Sequence, residues 1–300
     1  MSIKNFDVLA EKLKQGAEKK RVVLIGAEDS HSLEAVMLAQ KDKLAHPILL
    51  GNKNTVLGHL DQLGFSANNA TIVDSADIDE AIKKAAALIN AGEADFIMKG
   101  KIETSTLMRG ILQRENNLRT ERIMSHLAFM DISSYHKIYA ITDVALNPYP
   151  NLDQKRQMID NAVITLKKMG INQPKVAVMS SAEEINPKVP ESVDANELKL
   201  MQQSGVIKDC IVEGPISYDL AISKEAADLK GYKSPVAGDA DLLVVPNITA
   251  GNLLAKGLVY SGGARTAGFV VGAKVPILLL SRSASTEDKY MGIVLASSAC

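Results

Sequence analysis

Aromatic side chains and cysteines are scarce in this 300-residue sequence. It has no tryptophan, seven tyrosines, five phenylalanines and two cysteines. So few aromatic rings argue against a base-stacking platform for single-stranded nucleic acid. Two cysteines, Cys210 and Cys300, are too few for a disulfide scaffold or a four-cysteine zinc site. They are typical of a protein from the reducing cytoplasm, which is where we expect this one.

Long apolar runs and an excess of one charge are absent as well. The longest apolar candidate, residues 268–280, is interrupted by Lys274 and Pro276, and the N-terminus has no signal-peptide core. The 34 basic and 35 acidic side chains leave a net charge of −1. This balance argues against a broad nucleic-acid or membrane surface, so we expect neither partner. A few arginines can nevertheless dominate a local pocket for an anion.

The familiar nucleotide and metal motifs are also missing. The sequence contains no GxxxxGK[ST] or GxGxxG segment, and its five histidines show no HxxxH or HExxH spacing. We therefore predict no bound metal and no bound nucleotide cofactor. The apolar share of 46% and charged share of 23% are those of an ordinary globular chain. At about 150 residues per domain, the length suggests two domains.

Short apolar runs alternate with longer amphipathic stretches, which indicates parallel α/β structure. The runs predicted as buried strands are 22–25, 48–50, 71–73, 96–98, 138–141, 176–179, 210–212, 242–245 and 275–280. The clearest predicted helices are 33–40, 78–89, 153–169 and 247–260, and residues 286–299 form a last one. We expect the seam between the two domains near residues 131–137, where a first series of strands and helices ends and a second begins. The last helix could pack back on the first domain, which would make the second domain an insertion.

The segment 276–290 is the first candidate for a binding site. An apolar strand ends there, and Ser281 and Arg282 follow before the last predicted helix. Hydroxyl groups and free backbone N–H groups at a helix start, beside an arginine, suit a phosphate or an oxyanion. The alternative is purely structural, because Ser285 and Asp288 have the spacing of a capping box.

The segment 96–112 is the second candidate. A strand, a glycine turn and a hydroxyl-rich helix start bring Lys101, Thr104 and Arg109 together in sequence, and Arg122 adds positive charge nearby. This combination favours an anion. The alternative is a capped helix with solvated basic side chains.

The cysteines offer little support for a covalent mechanism. Cys210 lies in an apolar run, which predicts a core position, and Cys300 is the C-terminal residue, which predicts exposure. Neither has a histidine nearby in sequence that would activate it as a nucleophile. A covalent route through Cys210 is kept as a weaker alternative.

Four segments together resemble the phosphate acetyl/butyryl transferase family. They are KGKIETSTLMRGIL at 99–112, TDVALNPYPNLDQK at 142–155, KSPVAGDADLLVVPNITAGNLLAKGL at 233–258 and LSRSASTED at 280–288. The resemblance spans nearly the whole chain. The length of the chain is more similar to that of the butyryltransferases than to that of the longer acetyltransferases. The stretch SRSAS departs from the SRGCS form of many acetyltransferases, which bears on the size of the acyl group.

The resemblance implies a fold of two α/β/α domains with an inter-domain cleft, related to isocitrate and isopropylmalate dehydrogenases, and a homodimer. The first domain would comprise residues 1–134 and 285–300, and the inserted domain residues 135–284. No cofactor is implied, since CoA is a substrate. A metal-dependent hydroxyacid dehydrogenase of the same architecture would need a cluster of aspartates that the sequence does not display.

The implied reaction converts acyl-CoA and inorganic phosphate into acyl phosphate and CoA, reversibly, with a butyryl or similar short acyl group. By resemblance, Ser281, Arg282 and Asp288 are catalytic and Arg109 engages phosphate or the acyl group. Arg122, Lys101 and Thr104 are expected to bind substrate. Asp288 would accept the thiol proton, and for this we expect it to be buried. The alternatives are an acetyltransferase, and a module that binds CoA or acyl phosphate without catalysis.

Overall fold

The structure, a computed structural model, describes residues 2–16, 19–280 and 284–300. Helices and strands alternate along most of the chain in these residues. The helices are α1 (Phe6–Lys14), α2 (Ser30–Lys41), α3 (Lys53–Gln62), α4 (Ile78–Asn90), α5 (Thr104–Leu112), α6 (Leu152–Lys168), α7 (Pro190–Gln203), α8 (Tyr218–Ile222), α9 (Lys224–Leu229), α10 (Ile248–Tyr260) and α11 (Thr286–Ser298). The strands are β1 (Lys20–Ile25), β2 (Ala45–Gly51), β3 (Thr71–Asp74), β4 (Phe96–Lys99), β5 (Ser125–Asp131), β6 (Tyr139–Thr142), β7 (Lys175–Met179), β8 (Ile211–Ile216), β9 (Leu242–Val244), β10 (Arg265–Val271) and β11 (Ile277–Leu278).

The chain folds into two compact units. The N-terminal unit comprises Phe6–Arg122 and Ala267–Cys300, and the central unit comprises Met1–Asn5 and Ile123–Thr266. The division expected from the sequence lay at residues 134/135 and 284/285. The structure places these boundaries at residues 122/123 and 266/267 instead. They differ because β5 pairs with β6 inside the central unit, and β11 pairs with β4 inside the N-terminal unit.

In the N-terminal unit the strand order is β3-β2-β1-β4-β11-β10. Strands β1, β2, β3, β4 and β11 pair in parallel, and β10 runs antiparallel to β11. Strands β1, β2 and β4 are almost wholly buried, as their unbroken apolar runs predicted. Helix α11 packs on α2, where Thr286 Oγ1 donates a hydrogen bond of 2.8 Å to Glu34 Oε2.

In the central unit the strand order is β5-β6-β9-β7-β8. Strands β6, β9, β7 and β8 are parallel to their neighbours, and β5 is antiparallel to β6. A core cluster that includes Met130, Tyr139, Ile141 and Ile216 lies within this unit. Residues 131–137, predicted as the seam between domains, are instead the last residue of β5 and most of the short connection to β6. An antiparallel pair needs only such a short link, so no domain boundary falls there.

Every run that was predicted as a strand overlaps a strand of the structure, and the α/β fold class is confirmed. The prediction missed the antiparallel strands β5 and β10 and the helices α1, α3, α7, α8 and α9. Strand β11 has two residues, where the sequence suggested 275–280. Among the described residues, no helix combines the length and apolar character needed to span a bilayer.

Candidate active site

Three neighbouring parallel strands end at one edge of the N-terminal unit. Strand β4 lies between β1 and β11, with Val22 opposite Phe96 and Leu278 opposite Met98. After β1 and β4 the chain enters α2 and α5, and after β11 it enters α11. Three helix N-termini therefore face this edge, and each carries the positive end of a helix dipole.

The loops after β1 and β4 approach each other so closely that they require glycine. The backbone N–H of Lys101 donates to Gly26 O at 2.7 Å, and that of Gly100 donates to Ile25 O at 2.9 Å. A Cβ atom on Gly100 would lie 2.2 Å from Gly26 O, and Gly26 itself has a φ of +74°. These contacts fix the loop backbones that precede α2 and α5.

A cavity of about 500 Å³ opens at this edge. Its lining comes from the β1–α2 connection (Glu28, Asp29, Ser30, Ser32), the β4–α5 connection (Lys99, Gly100, Lys101, Ile102, Glu103) and the C-terminal segment (Leu280, Lys289). Three lysines and three carboxylates thus line a space large enough for a small anionic substrate.

Two of the lining lysines come from the β4–α5 connection and differ in their exposure. Lys99, the last residue of β4, is 6% exposed, and its Nζ donates to Gly100 O at 3.5 Å. Lys101 is exposed. The prediction that Lys101 belongs to a ligand site agrees with its position in the cavity wall, although its role as a substrate ligand stays a prediction.

Asp29 and Lys289 form an ion pair in the cavity wall. Lys289 Nζ lies 2.9 Å from Asp29 Oδ2, and the lysine side chain is 3% exposed. Asp29 is also the N-cap of α2, where it accepts hydrogen bonds from the backbone N–H of Ser32, at 3.0 Å, and from its hydroxyl. Burial acts to raise the pKa of Asp29, but the hydrogen bonds from Ser32 and Lys289 outweigh it and hold the pKa below its usual value. Asp29 therefore stays ionised near neutral pH.

The three helix starts at this edge are capped differently. Asp29 caps α2 and Ser285 caps α11, each through a side-chain oxygen. Glu103, at the N-cap position of α5, makes no such hydrogen bond with its helix. The first backbone N–H groups of α5 thus receive no cap from the Glu103 side chain, and such a helix start suits an anion in the cavity.

The other predicted substrate-binding residues lie outside the cavity lining. Thr104 is the first residue of α5 and is exposed, and Arg109 is exposed in the last turn of that helix. At 1.5 Å per residue, Arg109 is about 7–8 Å farther along the helix axis. Arg122 is half-buried, and its backbone N–H donates to Thr120 Oγ1 at 3.2 Å.

Of the three predicted catalytic residues, the structure describes Asp288. Its Oδ2 accepts hydrogen bonds from the backbone N–H of Ser285, at 3.0 Å, and from the Ser285 hydroxyl, at 2.8 Å. The predicted capping box is therefore confirmed. The expected burial of Asp288 is wrong, because the carboxylate turns outward to cap its own helix and is exposed. Ser281 and Arg282 lie outside the described residues.

The thiols occupy two different environments. Cys210 is 3% exposed, as predicted, and burial raises the pKa of its thiol to about 12. A thiol held in its protonated form is a poor nucleophile, which counts against a covalent acyl-thioester intermediate on Cys210. Cys300 is half-buried instead of exposed, because its Sγ lies against Ala296 O and Asp95 O, at 3.1 and 3.3 Å.

Sequence reasoning missed Asp29 and Lys289. A signal for Lys289 was present, since it is spaced with Gly292, Ile293 and Ala296 on the buried face of α11. A lysine on the apolar stripe of a helix needs a buried partner. Nothing in the sequence identified that partner as Asp29. Within the described ranges, no group of three or more His, Cys, Asp or Glu side chains is arranged to hold a metal ion.

Comparison with known proteins supplies the family. The sequence model of the family described as "Phosphate acetyl/butaryl transferase" matches residues 75–297. The chain is 39% identical to the phosphate butyryltransferase of Clostridium acetobutylicum, over 98% of both chains. It belongs to the phosphate acetyl/butyryl transferase family.

Other members of the phosphate acetyl/butyryl transferase family are nearly as similar. The phosphate acetyltransferase of Thermotoga maritima is 38% identical, over 93% of this chain and 94% of its own. The crystal structure of a branched-chain phosphotransacylase from Enterococcus faecalis superposes with a TM-score of 0.82 at 34% identity, over 93% of this chain and 98% of that one. The resemblance in the four sequence segments is thereby confirmed.

Proposed function

We propose that this chain is a phosphate acyltransferase that moves a short acyl group, butyryl or one of similar size, reversibly between CoA and inorganic phosphate. The observation that carries the proposal is the 39% identity to a phosphate butyryltransferase over 98% of both chains. The cavity at the edge of β1, β4 and β11 supports it, because two buried lysines and an uncapped helix start suit a phosphate.

The proposed chemistry is direct transfer in a ternary complex. A phosphate oxygen attacks the thioester carbonyl carbon, and a tetrahedral intermediate carries the negative charge on the former carbonyl oxygen. The carbon–sulfur bond then breaks, the carbon–oxygen bond of the acyl phosphate is complete, and CoA leaves as a thiolate that takes up a proton. No covalent enzyme intermediate is needed, in agreement with the buried, protonated thiol of Cys210.

Each predicted catalytic residue has a proposed role in this transfer. Arg282 and Arg109 hold phosphate oxygens and the developing oxyanion, and Ser281 donates a hydrogen bond to the sulfur or the reacting carbonyl. Asp288 accepts the CoA thiol proton in the direction of acyl-CoA synthesis. Its Oδ2 is engaged by Ser285, while no described residue donates to its Oδ1, so one oxygen remains for this proton.

The remaining substrate contacts are proposed for Lys101, Thr104 and Arg122. Lys101 lines the cavity, and Thr104 begins the helix whose N-terminus faces the same edge. The proposed ligands are acyl-CoA, CoA, inorganic phosphate and acyl phosphate.

The preferred size of the acyl group is the most specific part of the proposal. One methylene group in an apolar pocket is worth only about 1–3 kcal/mol of discrimination. An acetyl preference is the second candidate, favoured by the 38% identity to a phosphate acetyltransferase. A branched acyl group is a third, favoured by the likeness to a branched-chain phosphotransacylase.

We also propose that the enzyme is a cytoplasmic homodimer. Helix α10 supports the dimer, since it exposes Leu253 by 67% and Tyr260 by 86%. The two residues are seven positions apart and share one helix face, and an isologous dimer would bury that face on both copies. The free state of both cysteines supports a reducing compartment.

Phosphate-dependent release of thiol from a series of acyl-CoAs tests the reaction and the acyl preference together. Acetyl-, butyryl-, isobutyryl- and valeryl-CoA are compared with and without inorganic phosphate, and we expect the highest kcat/KM with a four-carbon group. Faster turnover of acetyl-CoA would establish the acetyltransferase alternative. Binding of CoA without any phosphate-dependent thiol release would identify a module without catalysis.

A further inference from the structure

Lys289 is buried in the cavity wall, and the described residues fill only part of its hydrogen-bonding capacity. Its side chain is 3% exposed, and its ammonium lies 2.9 Å from Asp29 Oδ2. An ammonium group has three N–H donors. Asp29 is its one partner in the part of the chain that the structure describes. Because a buried ammonium group is costly when its donors stay empty, the two remaining N–H groups point to an oxygen-bearing ligand.

Lys137 in the central unit shows a buried lysine that the protein satisfies fully. Its side chain is 4% exposed, and its Nζ has three acceptors. They are Asp241 Oδ1 at 2.6 Å, Asp239 Oδ1 at 2.8 Å and the backbone oxygen of Asp239 at 3.0 Å. Lys289 is buried to a similar degree but has one acceptor among the described residues, and it lines a cavity of about 500 Å³.

Asp29 serves to hold the ammonium group in place. It caps α2 through Ser32 and pairs with Lys289 through the same carboxylate oxygen. The pKa of Asp29 is held below its usual value by these hydrogen bonds, against the effect of burial. Asp29 therefore stays ionised and is a poor proton acceptor, so it fixes the position of Lys289 instead of taking part in proton transfer.

The surroundings of Lys289 suit an anion. Lys99 is a second buried cation in the same lining, and the uncapped start of α5 adds backbone N–H donors at the same edge. We propose that Lys289 binds an oxygen of inorganic phosphate, and of the phosphoryl group of the acyl phosphate, at the wall of this cavity. The assignment rests on the proposed acyltransferase function for the identity of the anion, and it adds Lys289 to the substrate-binding residues.

Binding of inorganic phosphate to the full chain, measured by isothermal titration calorimetry, tests the proposal without any turnover. We expect Lys289→Met to raise the Kd for phosphate at least about tenfold, as for the loss of a hydrogen bond from a charged donor. Tyr290→Phe is the matched control, because Tyr290 is the next residue of α11 and its hydroxyl donates to Asp42 Oδ2 at 2.5 Å. The control removes another contact between α11 and α2, and its Kd for phosphate should match the wild type.

Lys289→Gln is a second variant for the case that Lys289→Met does not fold. Glutamine keeps an N–H donor for Asp29 while it removes the charge. A circular dichroism melt of each variant establishes that it is folded. An unchanged phosphate Kd in a folded Lys289→Met or Lys289→Gln variant would overturn the proposal. An equal loss in Tyr290→Phe, or a wild-type chain that does not bind phosphate, would overturn it too.

Steady-state kinetics separate this proposal from the proposed function. With butyryl-CoA as the acyl donor, Lys289→Met should raise the KM for phosphate about tenfold and leave the KM for butyryl-CoA within about twofold. A wild-type enzyme that binds phosphate but releases no thiol would reject the acyltransferase function and leave the phosphate site standing. A higher KM for butyryl-CoA with an unchanged KM for phosphate would count against Lys289 as a phosphate ligand and leave the acyltransferase function intact.

Discussion

The carbonyl oxygen of Gly26 lies where a side chain on Gly100 would begin. A Cβ atom built on Gly100 falls 2.2 Å from that oxygen, far inside van der Waals contact. The two glycines belong to the loops after β1 and β4, and both loops contribute to the cavity lining. The shape of the candidate site thus depends on a backbone contact between segments 74 residues apart in sequence.

Gly100→Ala should therefore damage both stability and activity. The methyl group must displace the Gly26 peptide, which should destabilise the fold by about 1–3 kcal/mol and shift Lys101 in the cavity wall. Urea unfolding and the thiol-release assay measure the two effects. Gly58→Ala is the control, since a Cβ on Gly58 in α3 meets nothing within 4 Å and should stabilise the helix by about 0.5–1 kcal/mol. Full activity in Gly100→Ala would show that the loop can relax.

Asp288→Asn separates the two roles of this residue. Asparagine keeps an oxygen that can accept the hydrogen bonds from Ser285, so the capping box survives. It cannot accept the thiol proton, so we expect kcat to fall by about 10²–10⁴ with little change in KM, the scale for a lost general base. Glu287→Gln, at the neighbouring exposed position, should keep its activity. Near-wild-type turnover in Asp288→Asn would remove Asp288 from the base role.

Arg109→Ala tests a residue that the family resemblance assigns to phosphate or the acyl group. Arg109 lies in the last turn of α5, outside the residues that line the cavity. If its guanidinium reaches the phosphate, its loss should raise the KM for phosphate about tenfold. Arg114, an exposed arginine just after α5, provides the matched alanine control. An unchanged KM for phosphate in Arg109→Ala would contradict the assignment.

The stability of the protein should fall with pH in the acid range because of Asp239. Burial acts to raise the pKa of Asp239, but hydrogen bonds from Lys137, Lys175 and His136 outweigh it and hold the pKa far below its usual range. A carboxylate with a depressed pKa stabilises the folded state above its unfolded pKa of about 4, and this contribution is lost as the pH falls below that value.

We therefore expect the free energy of unfolding to drop between about pH 5 and pH 2, and to drop less steeply in Asp239→Asn. Urea unfolding at a series of pH values measures the slope. Asp61→Asn, a change of the same charge at an exposed position in α3, should keep the wild-type slope. Equal slopes for wild type and Asp239→Asn would show that another group dominates.

Leu253→Glu tests the proposed dimer. A charge on the exposed apolar face of α10 should convert a dimer into a monomer, because burial of an unpaired carboxylate is costly. Size-exclusion chromatography with light scattering gives the mass. Ile164→Glu is the control, since Ile164 is also an exposed apolar residue, on α6. A wild-type monomer, or a dimer that survives Leu253→Glu, would contradict the proposal.

The fold could be predicted where the sequence pattern reflects burial on both faces. The runs at 22–25 and 96–98 became β1 and β4 because buried parallel strands are apolar throughout. Strands β5 and β10 were missed, since each pairs antiparallel with a neighbour and mixes polar with apolar residues. The division into units was misplaced for the same reason, because pairing between distant strands decides it.

The candidate site could be predicted only in part. The glycine turn and helix start after β4 pointed to Lys101, which lines the cavity. The segment after β11 indicated a helix start, and the capping box of Ser285 and Asp288 was found there. Asp29 and Lys289 could not be paired in advance, because 260 residues separate them and only the parallel arrangement of β1, β4 and β11 brings their helices together.

Strand β11 and helix α11 are synthesised long after β4, with which they form the candidate site. Strand β11 covers one side of β4, and the last lining residue of the cavity lies in α11, near the C-terminus. During translation, β4 therefore presents an unpaired edge until β11 (Ile277–Leu278) has been made, and an unpaired strand edge favours association with other nascent chains. Any product that stops before residue 277 lacks both the covering strand and Lys289. Premature termination before residue 277 thus removes part of the candidate site and exposes an aggregation-prone edge at the same time.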